Sequence, residues 1–191
     1  MTKIAIVLGS TRPGRRGAAV AQWVLHQASA RGTADYALID LADVPLPNLD
    51  EPMPPTMGLY QHEHTRAWAA TVAEFDGYVF VTPEYNHSIS GVLKNALDFV
   101  YGEWNDKAAG IVSYGGGDPG GARAAEQLRL ILGELQIADV SEQVALSFRT
   151  DFENSSTFTP GSWQPRALSK MLDQVETWSR AFEPVRAAPA E

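Results

Sequence analysis

At 191 residues, with a formal net charge of −8 and no cysteine, the chain is most simply one domain with a full hydrophobic core. The missing cysteine excludes disulfides, thiolate metal sites and a cysteine nucleophile. The acidic balance argues against a general nucleic-acid binder, no apolar run approaches the roughly 20 residues of a membrane span, and no signal-peptide pattern opens the chain, so the cytoplasm is the expected compartment.

The first element is the apolar run Ile4 to Leu8, short and uninterrupted like a strand buried on both faces of a parallel sheet. Gly9-Ser10-Thr11-Arg12-Pro13-Gly14-Arg15-Arg16-Gly17 follows, and then Ala18, Val20, Ala21, Val24, Leu25 and Ala28 at helical spacing. Tyr36 to Leu41 reads as a second strand. The segment from Val44 through Pro55 is too rich in proline for helix or central strand, and its length points to a functional loop. Residues 60 to 74 read as helix, with Trp68, Val72 and Phe75 on one side, and Tyr78 to Val81 as the third strand. Ser90 is placed to cap a helix over 91–100. Lys107 to Ser113 gives a fourth strand, Ala122 to Leu135 a helix, and Ile137–Val140 with Val144–Leu146 a fifth strand. A polar loop from Thr150 to Pro160 precedes a last amphipathic helix carrying Leu168, Met171, Leu172, Val175 and Trp178. From Glu183 the composition reads as disordered, giving one domain over 1–183 and a tail over 184–191. Strand and helix alternate five times, which specifies an α/β, doubly wound, three-layer parallel sheet.

In such sheets ligands bind beyond the strands' carboxyl ends. The first strand ends in a turn whose free backbone N–H groups and positive helix end suit an anion such as phosphate, beside Arg12, Arg15 and Arg16. The plain alternative is a basic surface turn. Thr11 breaks the Gly-x-Gly-x-x-Gly of a dinucleotide loop. Arg15 and Arg16 stand where a triphosphate loop needs lysine and a magnesium-binding hydroxyl. A terminal monophosphate held without metal is what remains. The third strand ends in Thr82-Pro83-Glu84-Tyr85-Asn86-His87-Ser88 and the fourth in Ser113-Tyr114-Gly115-Gly116-Gly117, so three loops should converge. Glu84 has no partner acid and reads as a loop residue using its backbone. His62 and His64, two apart in a predicted helix, should point in different directions and make a poor metal pair. No metal site is expected.

Gly9-Ser10-Thr11-Arg12, Thr82-Pro83-Glu84-Tyr85-Asn86 with Gly91-Val92-Leu93-Lys94-Asn95-Ala96-Leu97-Asp98, and the Ser113/Gly115–Gly117 loop together resemble the NAD(P)H-dependent FMN reductase family. This flavodoxin-like group also includes quinone, azo-dye and chromate reductases. The resemblance implies a five-stranded sheet in the order 2-1-3-4-5, with bound FMN and NADPH or NADH as co-substrate. It implies that Ser10 and Arg12, with neighbouring amides through Gly17 and with Arg15 or Arg16, hold the FMN phosphate. Pro83, Glu84, Tyr85 and Asn86 would run along the flavin ring, and Ser113 and Gly115, Gly116 and Gly117 would border its pyrimidine end. No catalytic side chain is expected, because hydride transfer rests on positioning. The acceptor would be a small molecule such as free flavin, a quinone or an azo compound, and the assembly a homodimer or homotetramer. The alternative is a non-enzymatic electron carrier like flavodoxin, or a flavin-binding module.

Overall fold

A computed structural model of the chain describes residues 1–117 and 119–187. Five strands, β1 (Lys3–Leu8), β2 (Asp35–Asp40), β3 (Gly77–Pro83), β4 (Lys107–Gly115) and β5 (Ile137–Ser147), pair in parallel in the order β2-β1-β3-β4-β5. This is the expected sheet and the expected order. The central strands β3 and β4 are buried along their whole length, which is why they read as continuous apolar runs. The fifth strand was legible only in two pieces. Its register against β4 shifts between Ala109 and Ile111, so an irregularity in one continuous strand interrupts its apolar pattern.

Helices α1 (Gly17–Ser29), α2 (Glu63–Ala73), α3 (Gly91–Asp98), α4 (Ala122–Glu134) and α5 (Gln164–Ala181) cover the sheet. Side chains alternate across a strand, so β3 sends Tyr78 and Phe80 to one face and Val79 and Val81 to the other. The first face packs on α2, α3 and α4, with Trp68 and the fully buried Trp104; the second packs on α1 and α5. Trp104, just past α3, is therefore core. The segment from 150 to 160, expected as loop, holds a small antiparallel hairpin of β6 (Phe152–Glu153) and β7 (Thr157–Phe158). Its aromatics join a chain of rings from Trp23 through Phe158 and Phe152 to Phe148.

The disordered tail expected from residue 184 needs correction over its first part. Glu183–Arg186 forms a short helix, α6, and Arg186 anchors it by donating to Asp76, the Asp106 carbonyl and the Ser179 carbonyl. One arginine with three acceptors overcomes a composition that favours disorder. Residues 188–191 lie outside the described residues.

Two devices fix the loops at the sheet's carboxyl edge. Ser90 caps α3 by accepting from the Leu93 amide at 3.1 Å, as expected, and donates its own hydroxyl to the Gly9 carbonyl. It thereby ties α3 to the first loop. The long segment between β2 and α2 is held by Asn95 of α3, which accepts from the Leu49 amide at 3.0 Å and donates to the Pro47 carbonyl at 2.7 Å. Glu51 closes its far end by accepting from the Gln61 and His62 amides at 2.8 and 2.9 Å.

Candidate functional site

The sheet order reverses between β1 and β3, and there the loop after β1 meets the loops after β3 and β4. Helix α1 opens at Gly17 with no side-chain cap, so its first amides face outward without a protein acceptor in that role. Gly17 is required by its surroundings: a Cβ there would overlap the Tyr114 hydroxyl and lie 2.9 Å from Leu8 Cδ1. Ser10 is buried, and its hydroxyl shares a 3.0 Å hydrogen bond with the Tyr85 hydroxyl. The three arginines divide. Arg15 is paired with Asp40 at the end of β2, and Arg16 lies 4.4 Å from the centre of the Phe148 ring. Arg12 is exposed and, among the described residues, has no side-chain partner.

The loop after β3 is a tight hairpin. Tyr85 and Ser88 exchange backbone hydrogen bonds of 2.9 and 3.0 Å around Asn86 and His87, both left-handed at φ 50° and 68°. Two consecutive positive φ values make this a type I′ turn. Asn86 is there because asparagine accepts that conformation at low cost. Glu84 departs from its expected role. Its side chain is only 8 % exposed and caps α4, accepting from the Arg123 and Ala124 amides while pairing with the Arg123 guanidinium. Burial alone would raise its pKa, but the Arg123 hydrogen bond and the α4 amides hold it below the usual carboxylate range.

After β4 the alternation of the strand decides which side chain does what. Val112 and Tyr114 face α1 and α5, while Ser113 turns the other way, is fully buried and donates to the Gly120 carbonyl at 2.9 Å. It therefore staples the turn whose Gly120 and Gly121 take φ +57° and +82° against the backbone of β5 and β4. The Gly115 carbonyl accepts from the Phe148 amide, tying this turn to the end of β5.

Two clefts flank Tyr85. One of about 390 Å³ is lined by Arg12, Arg15, Arg16, Pro83, Glu84, Tyr85, Tyr114, Phe148 and Ser156. The other, about 950 Å³, lies between the first loop, the β2–α2 segment and α3, and includes Ser10, Arg12, Leu46, Tyr85, Val92 and Lys94 in its walls. The structure thus gathers Ser10, Arg12, Arg15, Arg16, Pro83, Glu84 and Tyr85 around adjoining clefts, with Gly17 beneath. Asn86 is exposed at the hairpin tip, and Ser113, Gly115, Gly116 and Gly117 line neither cleft. Sequence reasoning assigned no role to Tyr114, Phe148 or Asp40. Tyr114 had a signal, since it lies one residue from Ser113 on the opposite phase of a strand ending at the site.

His62 also differs from expectation. It caps α2 in extended conformation rather than lying in the helix, so its ring stacks on His64 at 5.1 Å, and His64 bonds Asp50 at 2.9 Å. Among the described residues no group of three or more His, Cys, Asp or Glu could hold a metal ion.

Buried donors test whether a phosphate fits. The Tyr114 hydroxyl and Arg15 Nε are buried at the first loop and lack a hydrogen-bond partner. An unmade buried hydrogen bond costs about 1–3 kcal/mol, and an anion at the α1 amides would supply the acceptor. The residues present fit a phosphate monoester. The family model for NADPH-dependent FMN reductase matches residues 2–151. The chain belongs to the NADPH-dependent FMN reductase family. It is 38% identical over 183 residues to the NAD(P)H-dependent FMN reductase C4B3.06c of Schizosaccharomyces pombe, covering 95% of this chain and 90% of that one. It is 33% identical over 185 residues to a quinone reductase of Pseudomonas putida, covering 92% and 93%. Among solved structures, the flavoenzyme NAD(P)H:(acceptor) oxidoreductase FerB of Paracoccus denitrificans superposes with a TM-score of 0.72 at 22% identity, covering 95% and 99%. As a member of the FMN reductase family the chain is an oxidoreductase with a flavodoxin-like fold, and an enzyme is favoured over an electron carrier.

Proposed function

We propose that this protein binds FMN at the cleft between the first loop, the Tyr85 hairpin and Tyr114, takes hydride from NADPH or NADH, and reduces a small organic acceptor, a quinone foremost. Bound FMN supplies a ring that accepts hydride and passes electrons on. The α1 amides, Ser10, Arg12 and Arg15 hold its phosphate, with Arg16 braced on Phe148 beside them. The Pro83–Asn86 backbone flanks its ring, and Ser113, outside both clefts, acts by stapling the turn before α4. No side chain here needs to move a proton: Glu84 is committed to capping α4, so positioning carries the rate.

The observation that carries this reading is the pair of buried, acceptorless donors at the uncapped start of α1. The second cleft favours a reductase over a carrier, because it leaves room beside Tyr85 for a nicotinamide and then for an acceptor. The quinone preference rests on the named activity of the Pseudomonas putida relative. The deciding experiment loads the protein with FMN, adds NADPH or NADH without oxygen, and then offers a panel of quinones, free flavin and azo dyes. Rapid bleaching followed by acceptor-dependent recovery is expected. Bleaching only in the presence of a separate reductase would make it a carrier.

A dimer is part of the same reading. Leu49, Met53, Met57 and Leu59 of the β2–α2 segment are exposed, as is Val92 of α3 in the wall of the second cleft, and exposed apolar side chains on these two elements suit a second copy. Light scattering is expected to give at least twice the chain mass, and a monomer at micromolar concentration would contradict it. The proposed compartment is the cytoplasm, which cell fractionation tests.

A further inference from the structure

Tyr114 is 3 % exposed, and its hydroxyl has no hydrogen-bond partner. Ser10 lies within hydrogen-bonding influence of the phenol, and Tyr85, Arg15 and Arg16 act on it electrostatically. The Ser10 hydroxyl, which also shares its 3.0 Å bond with the Tyr85 hydroxyl, is the neutral group near the phenol, and both arginines only donate. The phenol also lies against Gly17, the first residue of α1, so closely that any larger residue at 17 would displace it. Apart from the Ser10 and Tyr85 hydroxyls, the polar groups at this spot are donors, the uncapped α1 amides and Arg15 Nε, and no anion accepts from them. Asp40, the carboxylate at this loop, is taken up by Arg15.

We propose that Tyr114 is a phosphate ligand: its hydroxyl donates a hydrogen bond to the terminal phosphate of the flavin from beneath the first turn of α1. This rests on the FMN reading above and adds to it a residue on the fourth strand, distant in sequence from the phosphate loop. Burial pushes the phenol pKa up, which keeps the proton on the oxygen and the group a donor at neutral pH. A hydroxyl kept buried without a partner costs stability in the flavin-free protein and is repaid only on binding. Removing it should accordingly have opposite effects on the two states.

The test is Y114F, which keeps the ring in its packing and deletes only the oxygen. Equilibrium titrations with FMN and with riboflavin, which lacks the phosphate, are run on both proteins. Y114F is expected to bind FMN about tenfold more weakly or worse, the usual effect of losing a hydrogen bond to a charged group. Riboflavin affinity should stay the same, and the flavin-free variant should melt at or above the wild-type temperature. Unchanged FMN affinity, an equal loss for FMN and riboflavin, or a flavin-free variant that melts lower or fails to fold would each overturn the assignment, leaving Tyr114 a packing residue. If wild-type protein binds neither flavin, the FMN reading itself falls; if it binds FMN and Y114F matches it, only the role of Tyr114 falls.

Discussion

At the scale of single residues, the site depends on side chains that hold backbone in place more than on groups that react. Glu84 shows this most clearly. Its carboxylate accepts from two α4 amides and pairs with Arg123, so E84A strips a buried cap and is expected to lower stability by about 1–2 kcal/mol. Urea denaturation checks the loss, and E84Q, which keeps one acceptor oxygen, should recover part of it. Gly17→Ala forces a methyl group onto the Tyr114 hydroxyl and Leu8, and should cost about 1–3 kcal/mol together with most FMN affinity, read by the same unfolding curve and by flavin titration. The residues of the three loops were legible from the sequence because glycine, hydroxyl and arginine types cluster after strands. What their side chains do was less so. Glu84 and Ser113 turn inward to staple loops because strand alternation and helix starts, which involve partners 39 and 7 residues away, fix their directions.

At the scale of elements, the β2–α2 segment is the part most exposed to perturbation, since a few side chains hold it. N95A removes both of its bonds to the Leu49 amide and the Pro47 carbonyl. It should expose residues 45–59 to limited proteolysis while leaving the unfolding midpoint little changed. Glu51 adds a pH dependence at the other end. Burial would raise its carboxyl, but the Gln61 and His62 amides hold it down to about 2, below the ordinary 4.5. A folded value below the unfolded one stabilises above 4.5 and is lost as pH falls toward 2. Cleavage of this segment should therefore rise on acidification through that window in the wild type, and E51Q should be cut readily at all pH values. Strands and helices of the core were legible because each buries a continuous or periodic apolar face. The β6–β7 hairpin and α6 were not, because they are fixed by a ring cluster and by one arginine reaching Asp76, contacts remote in sequence.

At the scale of the whole molecule, the two ends of the sheet do different work. The carboxyl end gathers the clefts, while the opposite end buries Lys107, whose ammonium donates to the Val72 carbonyl at 2.8 Å and the Tyr78 hydroxyl at 3.2 Å. Burial lowers its pKa from 10.5 to about 8. Below 8 both folded and unfolded chains are protonated, and the folded one carries the desolvated charge. Stability should therefore rise with pH from 8 toward 10.5, by on the order of 3 kcal/mol if nothing else titrates. K107M should flatten that rise, and the Val72 carbonyl keeps the Tyr78 hydroxyl as donor, so the variant remains folded. Denaturant melts at a series of pH values read this directly. The topology itself was legible, since five alternating strand–helix units leave few ways to wind. The donors that face one another across it, Tyr114 of β4 and Arg15 of the first loop, became visible only once the strands were paired.

The most direct measurement is the equilibrium affinity of the purified protein for FMN and for riboflavin, followed by flavin fluorescence with a chelator present throughout. Micromolar or tighter uptake of FMN, with riboflavin at least tenfold weaker, is the predicted result, because the donors at α1 have a phosphate to meet and require no cation. Equal affinity for the two flavins, uptake only when magnesium is restored, or no uptake at all would contradict it.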